Sequence, residues 1–149
     1  MPLNSHTIQQ LIHRINCLTP ESKRHWGRMT VTEMLGHCAA GIKMAFGDVP
    51  SKVRVGPVRS AIVRFIFVDL ISFPKNAPTP PELNIQKKLK LSGSFQQQKD
   101  TLIAQLERLN DTPEDYEFAI HPIFRKLTRK QWGKLAYKHL DHHLKQFGV

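Results

Sequence analysis

The run Thr128-Arg-Lys-Gln-Trp-Gly-Lys-Leu-Ala-Tyr-Lys-His-Leu-Asp-His-His-Leu-Lys-Gln-Phe-Gly148 reads as a helix from its first residue to its last. Thr128 with Gln131 three positions on is a capping box, in which each side chain satisfies an otherwise orphan amide at the helix start. Gly148 stands where a left-handed closing residue is needed, which predicts a helix over 129–147. At 3.6 residues per turn, Trp132, Leu135, Ala136, His139, Leu140, His143, Leu144 and Phe147 fall on one side. Lys134, Lys138, Asp141 and Lys145 fall on the other. His139 and His143 therefore sit in the middle of the apolar side, one turn apart, a spacing that lets both rings reach a single ion. His142 lies at the rim.

The same capping pattern recurs at Thr30 with Glu33 and at Ser94 with Gln97, and predicts helices over 31–46 and 95–109. Ile8, Leu11, Ile12 and Ile15 predict a first helix over 5–17. Val58 to Ser72 predicts another between Pro57 and Pro74, with Val58, Ile62, Phe65 and Asp69 along one face. The tract from Phe73 to Leu83 is too rich in proline for helix and is expected to cross the surface as a stiff extended strap. Val53 and Val55, or Leu89 and Leu91, offer short extended pieces but no sheet. The expected class is all-α, a four-helix bundle with an additional short helix and a Pro-rich crossing.

A chain of 149 residues suits one core, and a domain of that size buries about 68–70% of its unfolded surface. The longest apolar stretch is broken by Arg59, Arg64 and Asp69, so no membrane span is expected. With two cysteines, Cys17 and Cys38, both within apolar patterns, and no secretory pattern at the start, a reducing, cytoplasmic setting is expected. The net charge of +10 raises nucleic acid or an anionic partner as an idea. Basic residues are dispersed, however, and the densest groups, Lys87, Lys88 and Lys90, and Arg125, Lys126, Arg129 and Lys130, read as solvated edges rather than a nucleic-acid footprint.

A third ligand for the histidine pair has to come from another helix, and His37 lies beside the stripe of Met34, Cys38, Gly41 and Ile42, with Gly36 and Gly41 leaving room. A lone core histidine satisfied by a carbonyl is the alternative. His37 after Met29-Thr-Val-Thr-Glu-Met-Leu-Gly, followed 102 residues later (139 − 37) by His139-x-x-x-His143-x-x-Gln146, resembles the metal-binding signature of the DinB-like superfamily. Lys75 to Leu83, the His-Pro-Ile-Phe beginning at His121, and the C-terminal run are similar to one uncharacterised branch of it. Met29 stands where many members carry Trp. The resemblance implies a four-helix bundle binding a divalent ion through His37, His139 and His143, with open coordination positions facing a cleft. Characterised relatives include thiol-dependent transferases and isomerases, so a small-molecule substrate, including a low-molecular-weight thiol, is implied.

Three neutral imidazoles and an open position suit catalytic zinc; nickel, iron and copper are also accepted by such donors. With no carboxylate among the ligands, the ion keeps its double charge and attracts an anion or thiolate. Ligating histidines need an acceptor on the second nitrogen. Asp69 is a candidate, with an ion pair to a neighbouring arginine or a rim position near the helix end as its alternatives; Gln146, one turn past His143, either lines the site or bonds to backbone. Asn76, with Lys75 and Thr79, would contact substrate if the strap covers the cleft, and would be plain crossing otherwise. Cys38 is expected in the core, and Trp26, Trp132 and Tyr137 as packing residues. Two rival functions remain: a non-catalytic helical module for an anionic ligand or protein, with structural histidines, and nucleic-acid binding resting on charge alone. Self-association, if any, is expected to be two-fold.

Overall fold

The computed structural model describes residues 3–71, 74, 75, 80–85 and 89–149. Among the described residues five α-helices are formed: α1 Ser5–Asn16, α2 Val31–Ala45, α3 Pro57–Arg64, α4 Phe95–Asp111 and α5 Arg129–Gln146. There is no strand among the described residues; an isolated antiparallel bridge pairs His121 with Arg125. No described helix is long and apolar enough to cross a membrane.

The helices begin where capping chemistry places them. Thr30 Oγ1 accepts the Glu33 N–H at 3.2 Å while Glu33 Oε2 accepts the Thr30 N–H at 2.7 Å. Ser94 with Gln97 and Thr128 with Gln131 repeat the exchange. A fourth box opens α1, where Asn4 Oδ1 and Thr7 Oγ1 each accept the other's N–H at 2.9 Å. It escapes a search for Glu or Gln at the third position because a threonine hydroxyl does the same work. Gly148 has φ +78°, the left-handed closure expected after α5. Arg129 is not a solvated edge: it donates to the carbonyls of Asn110 and Thr112 at 2.6 Å each, capping the end of α4.

α2 packs along α4 and against α5, and α1 packs on both α4 and α5. Met34, Leu35, Leu102, Leu106, Leu140 and Leu144 are fully buried between them. α3 departs from its expected face. Val58, Ile62 and Phe65 are 75%, 56% and 58% exposed, while Ser60 and Val68 are buried. The segment is apolar on two sides, since Val63 and Phe67 also pack on the core, and a peripheral helix buries only one. From Phe65 to Leu70 the backbone widens into a π-helix against α5, which also shifts the α-periodicity on which the face was read. Cys17 is exposed at the end of α1, outside the core in which its apolar neighbours place it. Five of the eleven residues of the proline-rich strap, 73 and 76–79, lie outside the described residues; its end forms a 3-10 turn, Pro81–Leu83, packed on α2.

Candidate metal centre

The α2–α5 packing brings His37 to the two histidines of α5. His139 Nε2 lies 2.9 Å from His37 Nε2 and 3.2 Å from His143 Nε2. The three rings stand near-perpendicular to one another, with centroids 4.7–5.0 Å apart. Their ligand atoms all fall within 4.8 Å of one another, a group that could hold a metal ion. A tetrahedral ion with M–N of about 2.0–2.1 Å spaces its nitrogens by about 3.3–3.4 Å, close to the two separations from His139 Nε2. Gly41 faces the third ring: a Cβ there would lie 3.4 Å from His139 Nδ1, in van der Waals contact. Gly36 serves a different purpose, admitting Leu91 and Gln98 rather than a histidine.

The outer nitrogens fix the protons. His37 Nδ1–H donates to the Leu83 carbonyl at 2.9 Å, and His143 Nδ1–H donates to Gln146 Oε1 at 2.8 Å. Gln146 is itself oriented by donating Nε2–H to the Trp26 carbonyl at 2.7 Å. The chain passes close over that amide at Gly27, whose φ of +79° and missing Cβ both avoid a clash with Gln146. With the Nδ1 positions protonated, His37 and His143 each aim an Nε2 lone pair at His139 Nε2. That nitrogen has at most one proton to donate, so at least one inward acceptor is left without a partner within the trio.

Burial keeps the rings neutral. It holds His37 below the usual histidine range, despite the Leu83 bond, with the charge of His142 adding to the lowering. It holds His139 well below, with His143 and His37 adding mutual repulsion. Burial and then His37 bring His143 down to about 3, against the opposing effect of Gln146. Neutral imidazoles are the form that ligates metal.

The other expected residues are placed as follows. Asp69 faces outward and pairs with Lys134 at 2.7 Å, so the carboxylate contributes to the edge of the bundle and not to the histidines; the outer acceptors are Leu83 O and Gln146. The apolar face on which Asp69 was aligned is the solvent face of α3, and this is why its expected direction inverts. His142 is half-buried, with its ring edge-on to Trp26 at 5.9 Å. Asn76 and Thr79 lie outside the described residues; Lys75 stacks its ammonium over Trp26 at 4.7 Å. Cys38 is buried, donates to Met34 Sδ at 3.8 Å, and burial pushes its thiol up.

A cavity of about 620 Å³ opens from the cluster, within the usual range for small-molecule sites. His37, His139 and His143 share its wall with Trp26, Trp132, Met29 and His121. Spacing does not single out His121, because it lies in none of the helices that the sequence predicts. Its signal is the His-Pro-Ile-Phe motif, whose turn only the fold explains: His121 Nδ1 accepts the N–H of Ile123 and of Phe124, both at 3.1 Å.

No curated protein and no solved structure shows a significant match to this chain. A protein-family model does, over residues 1–148 of the 149, which takes in the α2 histidine, the His121 turn and both α5 histidines. By that match the chain belongs to DUF1569, a protein family of unknown function.

Proposed function

We propose that this protein is a metal-dependent enzyme of the DinB-like type, a helical bundle in which His37, His139 and His143 hold one divalent ion at the mouth of the cavity. The observation that carries the reading is the direction of the lone pairs. Two Nε2 acceptors, each locked by a donated Nδ1–H, converge on a third Nε2 that can offer at most one proton. A cation satisfies that arrangement and a proton cannot. The chain also supplies the outer acceptors that ligating histidines require, and removal of such partners in metal sites generally costs about 10–100-fold in affinity.

Zinc or nickel suits three imidazoles, with iron and copper accepted by the same donors. A divalent ion bound there supplies Lewis acidity, enough to activate water or a thiol near neutral pH. The chain's own residues do the rest. Leu83 O and Gln146 hold two rings, and the third rests against Gly41 beside a largely apolar wall. The substrate class that follows is a small molecule handled by transfer or hydrolysis, with a low-molecular-weight thiol as reactant or co-substrate.

Elemental analysis of protein purified without an affinity tag tests the reading. About one divalent ion per chain is expected for three ligands meeting at one point, and Ala at 37, 139 or 143 should each remove most of it. Full occupancy surviving every replacement, or no metal uptake by the unaltered protein, leaves a non-catalytic helical module with structural histidines.

A further inference from the structure

The cavity has a second polar wall. His121 is 6% exposed, its Nδ1 is occupied as an acceptor of two backbone amides, and the turn that makes those bonds is tied by a reciprocal backbone pair to Arg125 at 3.0 Å. A neutral imidazole has one N–H, so the proton resides on Nε2. That nitrogen has no partner among the described residues, and the ring belongs to the cavity wall. Stacking on Phe124 at 4.6 Å and contact with Trp132 at 5.4 Å hold it in place. Trp26 and Trp132 line the same cavity, and the indole nitrogen of each is buried with no partner among the described residues. Native proteins rarely leave buried donors unpaired, and two such indoles beside the unpartnered His121 Nε2–H mark the place of a missing acceptor. Arg28 and Arg59 also border the cavity, no acidic side chain lines it among the described residues, and most of the remaining wall is aliphatic or aromatic.

We propose that the cavity takes a small, mainly apolar molecule carrying a carboxylate, and that His121 is the positioning residue whose Nε2–H donates to that carboxylate. The rest of the molecule then reaches toward the three-histidine centre. The orientation of that far end rests on the metal-centre reading, whereas the His121 end rests on its own hydrogen bonds.

The His121→Asn variant separates the two roles of the ring. An asparagine Oδ1 takes the place of Nδ1 and accepts the same turn amides, as in an Asx turn, while its amide N–H group stands near the ring's Cδ2 position and no longer reaches as far into the cavity as Nε2–H. Phenylacetate, an aromatic body with one carboxylate, is titrated into zinc-treated and metal-free protein with tryptophan fluorescence as the readout. Wild-type protein should bind it, and the variant should bind about 10–100-fold more weakly in both states, the usual loss for one hydrogen bond to a charged acceptor. Zinc content should be equal in the two proteins. Independently of any variant, the His121 Nε2–H resonance of nitrogen-15-labelled wild-type protein should move on adding phenylacetate. Equal affinity in the two proteins, an unmoved resonance, or no binding by the wild type in either state overturns the assignment. Phenylacetate binding without zinc uptake would instead remove the metal reading and leave His121 standing.

Discussion

At His37 and His143 the outer nitrogen donates, to Leu83 O and to Gln146 Oε1, and the inner nitrogen is left as a lone pair; at His121 the outer nitrogen accepts, from Ile123 and Phe124, and the inner one is left as an N–H. All three rings are buried and line one cavity. The difference lies in what surrounds each Nδ1. A carbonyl or amide oxygen there makes the ring a base facing inward, and a pair of backbone amides makes it a donor facing inward. Residue type and burial alone would class the three together.

The largest way to break this contrast is to remove a convergent ring. In wild-type protein, zinc at about 100 times its dissociation constant should stabilise the fold by about 2.7 kcal/mol, read as a rise in thermal midpoint. His139→Leu should abolish the rise, and His121→Asn should leave it intact. A rise that survives His139→Leu places the ion elsewhere.

Disturbing the outer shell comes next. Gln146→Leu keeps the size but loses the acceptor for His143 Nδ1–H and the anchor to Trp26 O. Zinc affinity, measured by competition with a chelator, should fall by about 10–100-fold. An unchanged affinity means that Gln146 only fills space.

Acid sharpens the contrast from the His121 side. Burial brings His121 down to about 3, whereas an unfolded histidine takes its proton near 6.5. Between those values the unfolded chain binds the extra proton, so stability is present above about pH 6.5 and falls as pH drops toward 3. Each such histidine contributes a slope of up to about 1.4 kcal/mol per pH unit. In metal-free protein, urea midpoints between pH 6.5 and 4.5 should fall less steeply for His121→Asn than for wild type. Parallel slopes would mean that His121 is already charged in the folded state.

The smallest effect is expected at Asp69. Its ion pair with Lys134 is partly exposed, so Asp69→Asn should change stability by about 0–1 kcal/mol. Zinc affinity should not move. A tenfold loss would return Asp69 to the neighbourhood of the ligands.

The two helices that differ most in legibility are α5 and α3. α5 has one apolar and one charged side, so its period places Leu140 and Leu144 in the core and the lysines outside without ambiguity. α3 is apolar on two sides and runs into a π-helix, so the period offers two answers, and contact with α5 selects the one that turns Asp69 toward Lys134. In the site, the i, i+4 histidines and Gln146 are local features that spacing exposes. The carbonyl of Leu83 has no side-chain signature, and neither does the Trp26 carbonyl that orients Gln146. His121 carries a motif but lies outside the helices that spacing predicts, so its role depends on a turn that closes within five residues and on Trp132 of α5 packed against its ring.

Capping boxes, the period of α5 and the pairing of its histidines are set by interactions within a few residues, and for that reason they follow from the order of amino acids alone. The meeting of His37 with that pair, the side of α3 that is buried and the nitrogen of each histidine that keeps its proton depend on groups from distant segments. Those were decided only when packing brought a carbonyl, an amide or an ammonium group within hydrogen-bonding distance.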